Sequence, residues 1–142
     1  MYPTQPRKPK MSPSPKKPRQ TVSPQSLLAM MEPWPESWAG VADDKRFGAG
    51  LVTELQPFVM HLQTLGLAPR TVRQHLDNLW VIGGEIIRQL NDEPALRKVK
   101  PRRLLLDTVA DGKAPMVTGA SEDEQMSFDA TALRLLRFLT SR

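Results

Sequence analysis

The chain has 142 residues, 39% of them hydrophobic, which suits one small domain with a modest core. It has no cysteine, which excludes a disulfide framework, a thiolate metal site and a Cys nucleophile, and which fits a reducing, cytoplasmic compartment. No apolar run approaches the length of a membrane span, and the basic N-terminus is not followed by the apolar segment of a secretory signal.

The net charge of +5 is unevenly placed. Six of the 20 basic residues fall in residues 1–20, where there is no acid; the other 14 face all 15 acids. The basic character therefore belongs to the N-terminal tail, and the remainder is close to neutral. That balance excludes a uniformly basic DNA-binding body but leaves room for a basic patch on one face.

Residues 1–26 are expected to form a disordered tail. Pro3, Pro6, Pro9, Pro13, Pro15, Pro18 and Pro24 interrupt any helix or strand, and the apolar content is too low to offset ordering. Such a tail either adds sequence-independent attraction to phosphates, screened by salt, or serves only as a solubilising extension. Two PxxP spacings, Pro3 to Pro6 and Pro6 to Pro9, are too common by chance to assign a ligand role.

The folded part is expected to span residues 27–142 as one all-α domain, a small bundle of four or five helices. Residues 26–31 have room for one or two helical turns. Trp34 and Trp38, four apart, share one face of a short helix that tolerates Pro35 in its first turn. They serve either as a stacking platform for bases or as a strap plugged into the helical core. The flanking acids Glu32 and Glu36 repel phosphate and favour the strap.

Phe47, Leu51, Leu55, Phe58, Leu62 and Leu65 recur at helical spacing and predict a helix over 47–65, kinked or split by Pro57. Gly48-Ala49-Gly50 lacks the lysine and the preceding strand of a phosphate loop. Gly66 is placed to end this helix in the left-handed region, and Pro69 to begin the next at its first position. That second helix, 69–90, buries Val72, Leu76, Leu79, Gly83, Ile86 or Ile87, and Leu90, with Trp80 at its flank. Gly83-Gly84 weakens it by about 1 kcal/mol per glycine and implies close approach of another helix, or a hinge. Arg70, Arg73, Gln74, Asp77, Asn78 and Arg88 are assigned to its solvent face. His61 and His75 lack a second ligand at metal spacing and read as surface or boundary residues.

The segment Leu65-Gly66-Leu67-Ala68-Pro69-Arg70-Thr71-Val72-Arg73-Gln74-His75-Leu76 resembles the core-binding domain of tyrosine recombinases of the phage-integrase type. That domain has an aromatic-rich helix, a Gly-Leu-Ser-Pro-x-Thr turn and a long helix, and clamps one side of the DNA. The resemblance covers about residues 47–90 and implies phosphate contacts from Arg70, Thr71, Arg73 and Gln74. Ala68 stands where the family has Ser, so the side-chain N-cap is missing. The family's catalytic set is not implied here. The single tyrosine is Tyr2, neither histidine begins a His-x-x-Arg box, and the sequence after residue 90 is too short for a catalytic domain.

Asn91-Asp92-Glu93-Pro94 ends the long helix. Arg97, Lys98, Lys100, Arg102 and Arg103 then crowd into seven residues. They form either a phosphate-positioning patch, the reading the resemblance favours, or a solvated turn neutralised by Asp92, Glu93 and Asp107. Leu104, Leu105, Leu106 and Val109 give a short helix over 102–110, stopped at Asp111-Gly112, and 112–120 is a loop. Ser121 and Glu124 have the spacing of a capping box, with a start near Ser127 as the alternative. The acids at 122–124 are better explained by the helix dipole than by a metal. The last helix buries Phe128, Leu133 or Ala132, Leu135, Leu136 and Leu139, with Arg134, Arg137 and Arg142 near its C-terminal end. The seven methionines form no stripe.

No nucleophile with its base, no metal set and no cofactor motif is visible. The expectation is a non-catalytic DNA-binding accessory protein, of a mobile element as the resemblance implies, holding DNA through phosphates. The alternative is a helical module whose hairpin groove docks a partner protein.

Overall fold

The computed structural model describes residues 23–141. The expected disorder of residues 1–22 lies outside them. The described chain is all-α, with five helices of eight or more residues and a five-residue helical turn. These are α1 (Pro24–Met31), α2 (Trp34–Trp38), α3 (Ala42–Gln63), α4 (Pro69–Asp92), α5 (Pro101–Thr108) and α6 (Glu122–Thr140). A 3-10 turn, Pro94–Lys98, joins α4 to α5.

The first helix begins earlier than the tail boundary at 26. Ser23 accepts a hydrogen bond from the Ser26 N–H through its hydroxyl, and Pro24 takes the first helical position, where its missing N–H costs nothing. Pro24 thus starts a helix rather than interrupting one. Leu27 and Met31, four apart, go into the core.

The tryptophan pair is a strap. Trp34 is buried, and the two rings meet at 5.7 Å between centroids. Trp38 donates its indole N–H to the Trp80 carbonyl at 3.0 Å, and Trp80 donates its own to the Ser37 hydroxyl at 2.9 Å. Trp38 lies over Gly83: a Cβ there would come within 2.6 Å of the ring's Cη2. The close approach expected at Gly83-Gly84 is therefore made by an indole from the five-residue α2 rather than by the backbone of a long helix.

The helix α3 starts at Ala42, five residues before the expected position, and runs through Pro57 as one element. The early start comes from Asp44, which is fully buried. Its carboxylate accepts from the Gly40 and Val41 N–H groups at 3.0 and 3.2 Å and so fixes the first turn. The helix ends at Gln63, two residues before the expected end, so Leu65 falls in the turn and is exposed rather than buried. Gly66 closes the α3–α4 turn at φ 73, in the left-handed region where glycine is least costly. Pro69 opens α4, which extends to Asp92.

The two long helices form an antiparallel hairpin, and the chain fills its grooves itself. Leu27, Met31 and Trp34 enter from the N-terminal side, Leu104, Leu105 and Val109 from α5, and Ala132, Leu135 and Leu139 from α6. The expected core of α4 is buried throughout, with Ile82 added. On α6 the capping box forms at Ser121 and Glu124, with reciprocal bonds of 3.0 and 2.8 Å. Of the alternatives at 132 and 133, Ala132 is buried and Leu133 is exposed. Among the described residues no helix is long and apolar enough to cross a membrane.

Candidate nucleic-acid interface

The nine residues expected to touch phosphates fall into two groups at opposite ends of α4. At a rise of about 1.5 Å per residue the helix separates its ends by roughly 35 Å. Arg70, Thr71, Arg73 and Gln74 sit at its start; Arg97, Lys98, Lys100, Arg102 and Arg103 follow its end.

At the start, Ala68 is the N-cap and offers no side-chain acceptor or donor. The first intrahelical bond runs from the Val72 N–H to the Ala68 carbonyl at 3.1 Å. The Arg70 and Thr71 N–H groups precede it and have no acceptor within the helix. Their positive end of the helix dipole favours an anion. Arg70, Thr71 and Arg73 are exposed and make no ion pair among the described residues. At about 100° per residue, Arg70 and Arg73 diverge by only about 60° and share one flank, while Thr71 turns to another. Asp77, a turn beyond Arg73, limits this basic flank to the first turn and a half.

Gln74 is differently placed. Its amide donates to the Asn78 Oδ1 at 3.1 Å. Asn78, expected on the solvent face, is buried against α6. Its Nδ2 reaches the Ser127 carbonyl and hydroxyl and the Thr131 hydroxyl at 2.9–3.1 Å. Thr131 Oγ1 in turn lies 2.7 Å from His75 Nδ1. The Thr131 hydroxyl, which accepts from Asn78, can donate to a bare His75 Nδ1 or accept from a protonated one, so either neutral tautomer of His75 fits. His75 is thus half-buried, a boundary residue as expected, with Thr131 as its hydrogen-bond partner. Burial, helped by Arg134, holds its pKa below the usual 6.5.

The second group is largely committed to the fold. Arg97 reaches the buried Asp44 at 3.0 Å and Asn91 Oδ1 at 3.2 Å. Burial pushes the Asp44 carboxyl up, but the Gly40 and Val41 N–H groups and Arg97 outweigh it and hold its pKa below 3.8. Arg97 thus closes the start of α3 onto the segment after α4, and its charge is matched there. Arg102 lies 3.6 Å from Glu54 and donates to the Leu139 carbonyl at 3.3 Å. Arg103 pairs with Asp107 one turn along α5 at 3.2 Å. Lys98 and Lys100 are exposed and make no ion pair among the described residues.

Two further arginines were not among the expected contacts. Arg134 and Arg137 on α6 are exposed and border, with His61, Leu65, Leu133 and Phe138, an open groove of about 540 Å³. His61 is exposed and stacks on Phe138 at 5.0 Å. The sequence placed these arginines at a helix C-terminus, where the dipole already accounts for them, so nothing marked them as a surface. Among the described residues no group of three His, Asp or Glu side chains is placed to hold a metal ion. Comparison of the chain with protein-family models, curated proteins and solved structures found no match.

Proposed function

We propose that this is a non-catalytic DNA-binding accessory protein of the cytoplasm, and that its folded body holds phosphates at the start of α4. The observation that carries the reading is the pair Arg70 and Arg73, exposed and without an ion pair among the described residues, on one flank of a helix start that no described side chain caps. Two guanidiniums beside two backbone N–H groups make a phosphate cradle without base readout, and the Thr71 hydroxyl, on another flank, offers a separate contact. The resemblance of residues 65–76 to the core-binding domain of tyrosine recombinases supports the same positions. Lys98 and Lys100 offer a second, weaker contact. Arg97 is left out of the set because Asp44 takes its charge. The alternative, a partner helix in the α3–α4 groove, has less support because α1, α2 and α6 already fill that groove.

The test is duplex DNA binding by a fragment starting at residue 23, at two salt concentrations, beside the Arg70→Ala/Arg73→Ala double variant. The fragment should bind, and its affinity should fall steeply with salt. The double variant should lose most of the affinity and flatten the salt slope by roughly 2. A folded fragment that does not bind DNA would sink the proposal and leave any attraction to the residues before 23.

A further inference from the structure

The outward face of α6 carries a pattern that the bundle does not use. Met126 and Leu133 are 67% and 36% exposed, and Ala130 between them is exposed as well. With Asp123 before them and Arg137 after, all exposed, the spacing is three, four, three, four. That is the seam of a helix that packs along another helix. The side of α6 that faces the core is a different one, built from Thr131, Ala132, Leu135 and Leu139.

The charges on this seam are segregated. Glu122 and Asp123 lie at one end and Arg137 at the other, and none makes an ion pair among the described residues. Asp123 and Arg137 are each seven residues from Ala130, or about 10.5 Å along the axis. Met126 and Leu133 flank the same point at about 6 and 4.5 Å. A seam with this layout is complementary to itself when turned end for end.

We propose that α6 is a homodimer interface, on which a second copy of the chain packs its own α6 antiparallel about a two-fold axis at Ala130. Asp123 and Glu122 then face Arg137 of the second copy, Met126 packs beside Leu133, and the two small Ala130 side chains let the axes approach to about 8 Å. The antiparallel arrangement also sets the two helix dipoles in opposition. Exposed apolar neighbours widen the patch: Leu65 borders the groove on one side of Leu133, and Met116, 80% exposed, lies beside Met126 on the other. A parallel pair would set acid on acid and arginine on arginine. One helix pair is a small interface, so the dimer should have a dissociation constant on the order of micromolar. This inference is independent of the DNA reading, since neither Arg70 nor Arg73 lines the groove beside the seam.

The absence of native cysteine gives a direct test on the full chain. In an Ala130→Cys variant the new thiols meet on the axis, and mild oxidation should join most of the protein into a covalent dimer. A Thr53→Cys variant, exposed on α3, should stay single under the same conditions. In sedimentation, Arg137→Glu and Glu122→Lys/Asp123→Lys should each weaken self-association by at least about tenfold, and an equimolar mixture of the two should restore it. Circular dichroism would establish that both variants are folded. A native chain that sediments as a monomer at concentrations on the order of 100 μM would overturn the proposal. So would cross-linking through position 130 no more efficient than through position 53, or a mixture that fails to associate.

Discussion

The two ends of α4 carry similar arginines and put them to different use. At the C-terminal end the chain is crowded: the start of α3, the 3-10 turn and α5 converge there, and Arg97, Arg102 and Arg103 each meet a carboxylate. At the N-terminal end Arg70 and Arg73 meet none among the described residues. A count of basic residues ranks the first group higher, with five charges in seven residues. The tertiary structure removes that lead: among the described residues it leaves Lys98 and Lys100 without a carboxylate at one end and Arg70 and Arg73 at the other, and a charge matched by a carboxylate has less left for a phosphate. The lesson is that free charge, not total charge, marks a candidate interface.

The largest effect should come from the crowded end. Arg97→Ala leaves Asp44 buried with its two backbone N–H partners but no counter-charge. It should cost about 3 kcal/mol in urea unfolding and leave the DNA affinity of the folded molecule nearly unchanged. A loss of affinity with no loss of stability would erase the contrast between the two ends. The Asp44 carboxyl is more acidic in the folded chain, so its stabilisation is present above pH 3.8 and is lost as pH falls through the lower folded value.

The strap gives the next effect. Gly83→Ala drives a methyl into Trp38, which cannot slide away without losing its bond to the Trp80 carbonyl. The expected cost is about 1–3 kcal/mol, against a gain in helix propensity of about 1. Gly84→Ala meets Trp38 only at 3.4 Å, an ordinary contact, and should be neutral or stabilising by up to about 1 kcal/mol. Equal effects at the two glycines, read by thermal or urea unfolding, would remove the indole as the reason for Gly83.

The smallest effect belongs to the free end. Thr131→Val removes the hydroxyl that links Asn78 to His75 and should cost about 1–2 kcal/mol. The His75 pKa is depressed in the folded state, so its contribution is present above pH 6.5 and is lost as pH falls below that value. His75→Gln should flatten this part of the stability curve. A curve unchanged by that substitution would mean that His75 is not the group that titrates.

Much of the fold was legible in the residues. The periodicity of α3 and α4, the left-handed turn at Gly66, the start at Pro69 and the capping box at Ser121 all follow from local rules. Each depends on groups within a few residues of one another, where backbone geometry and hydrogen bonding leave few choices. The early start of α3 was missed because its signal is Asp44, whose three partners include Arg97, distant in sequence. Asn78 was placed in solvent for the same reason: a polar residue at a core position becomes intelligible only when Ser127 and Thr131 supply its bonds.

The sequence alone determined the helical class, the hairpin and most of its buried stripe, because an apolar pattern of period near 3.6 has one economical burial. It also located every arginine of the candidate interface. Only the tertiary structure decided which of them are free. Arg103 and Asp107 pair within α5, four apart, but Arg97 and Arg102 meet Asp44 and Glu54 through contacts between residues far apart in the chain, and no local rule in the sequence reports that distance.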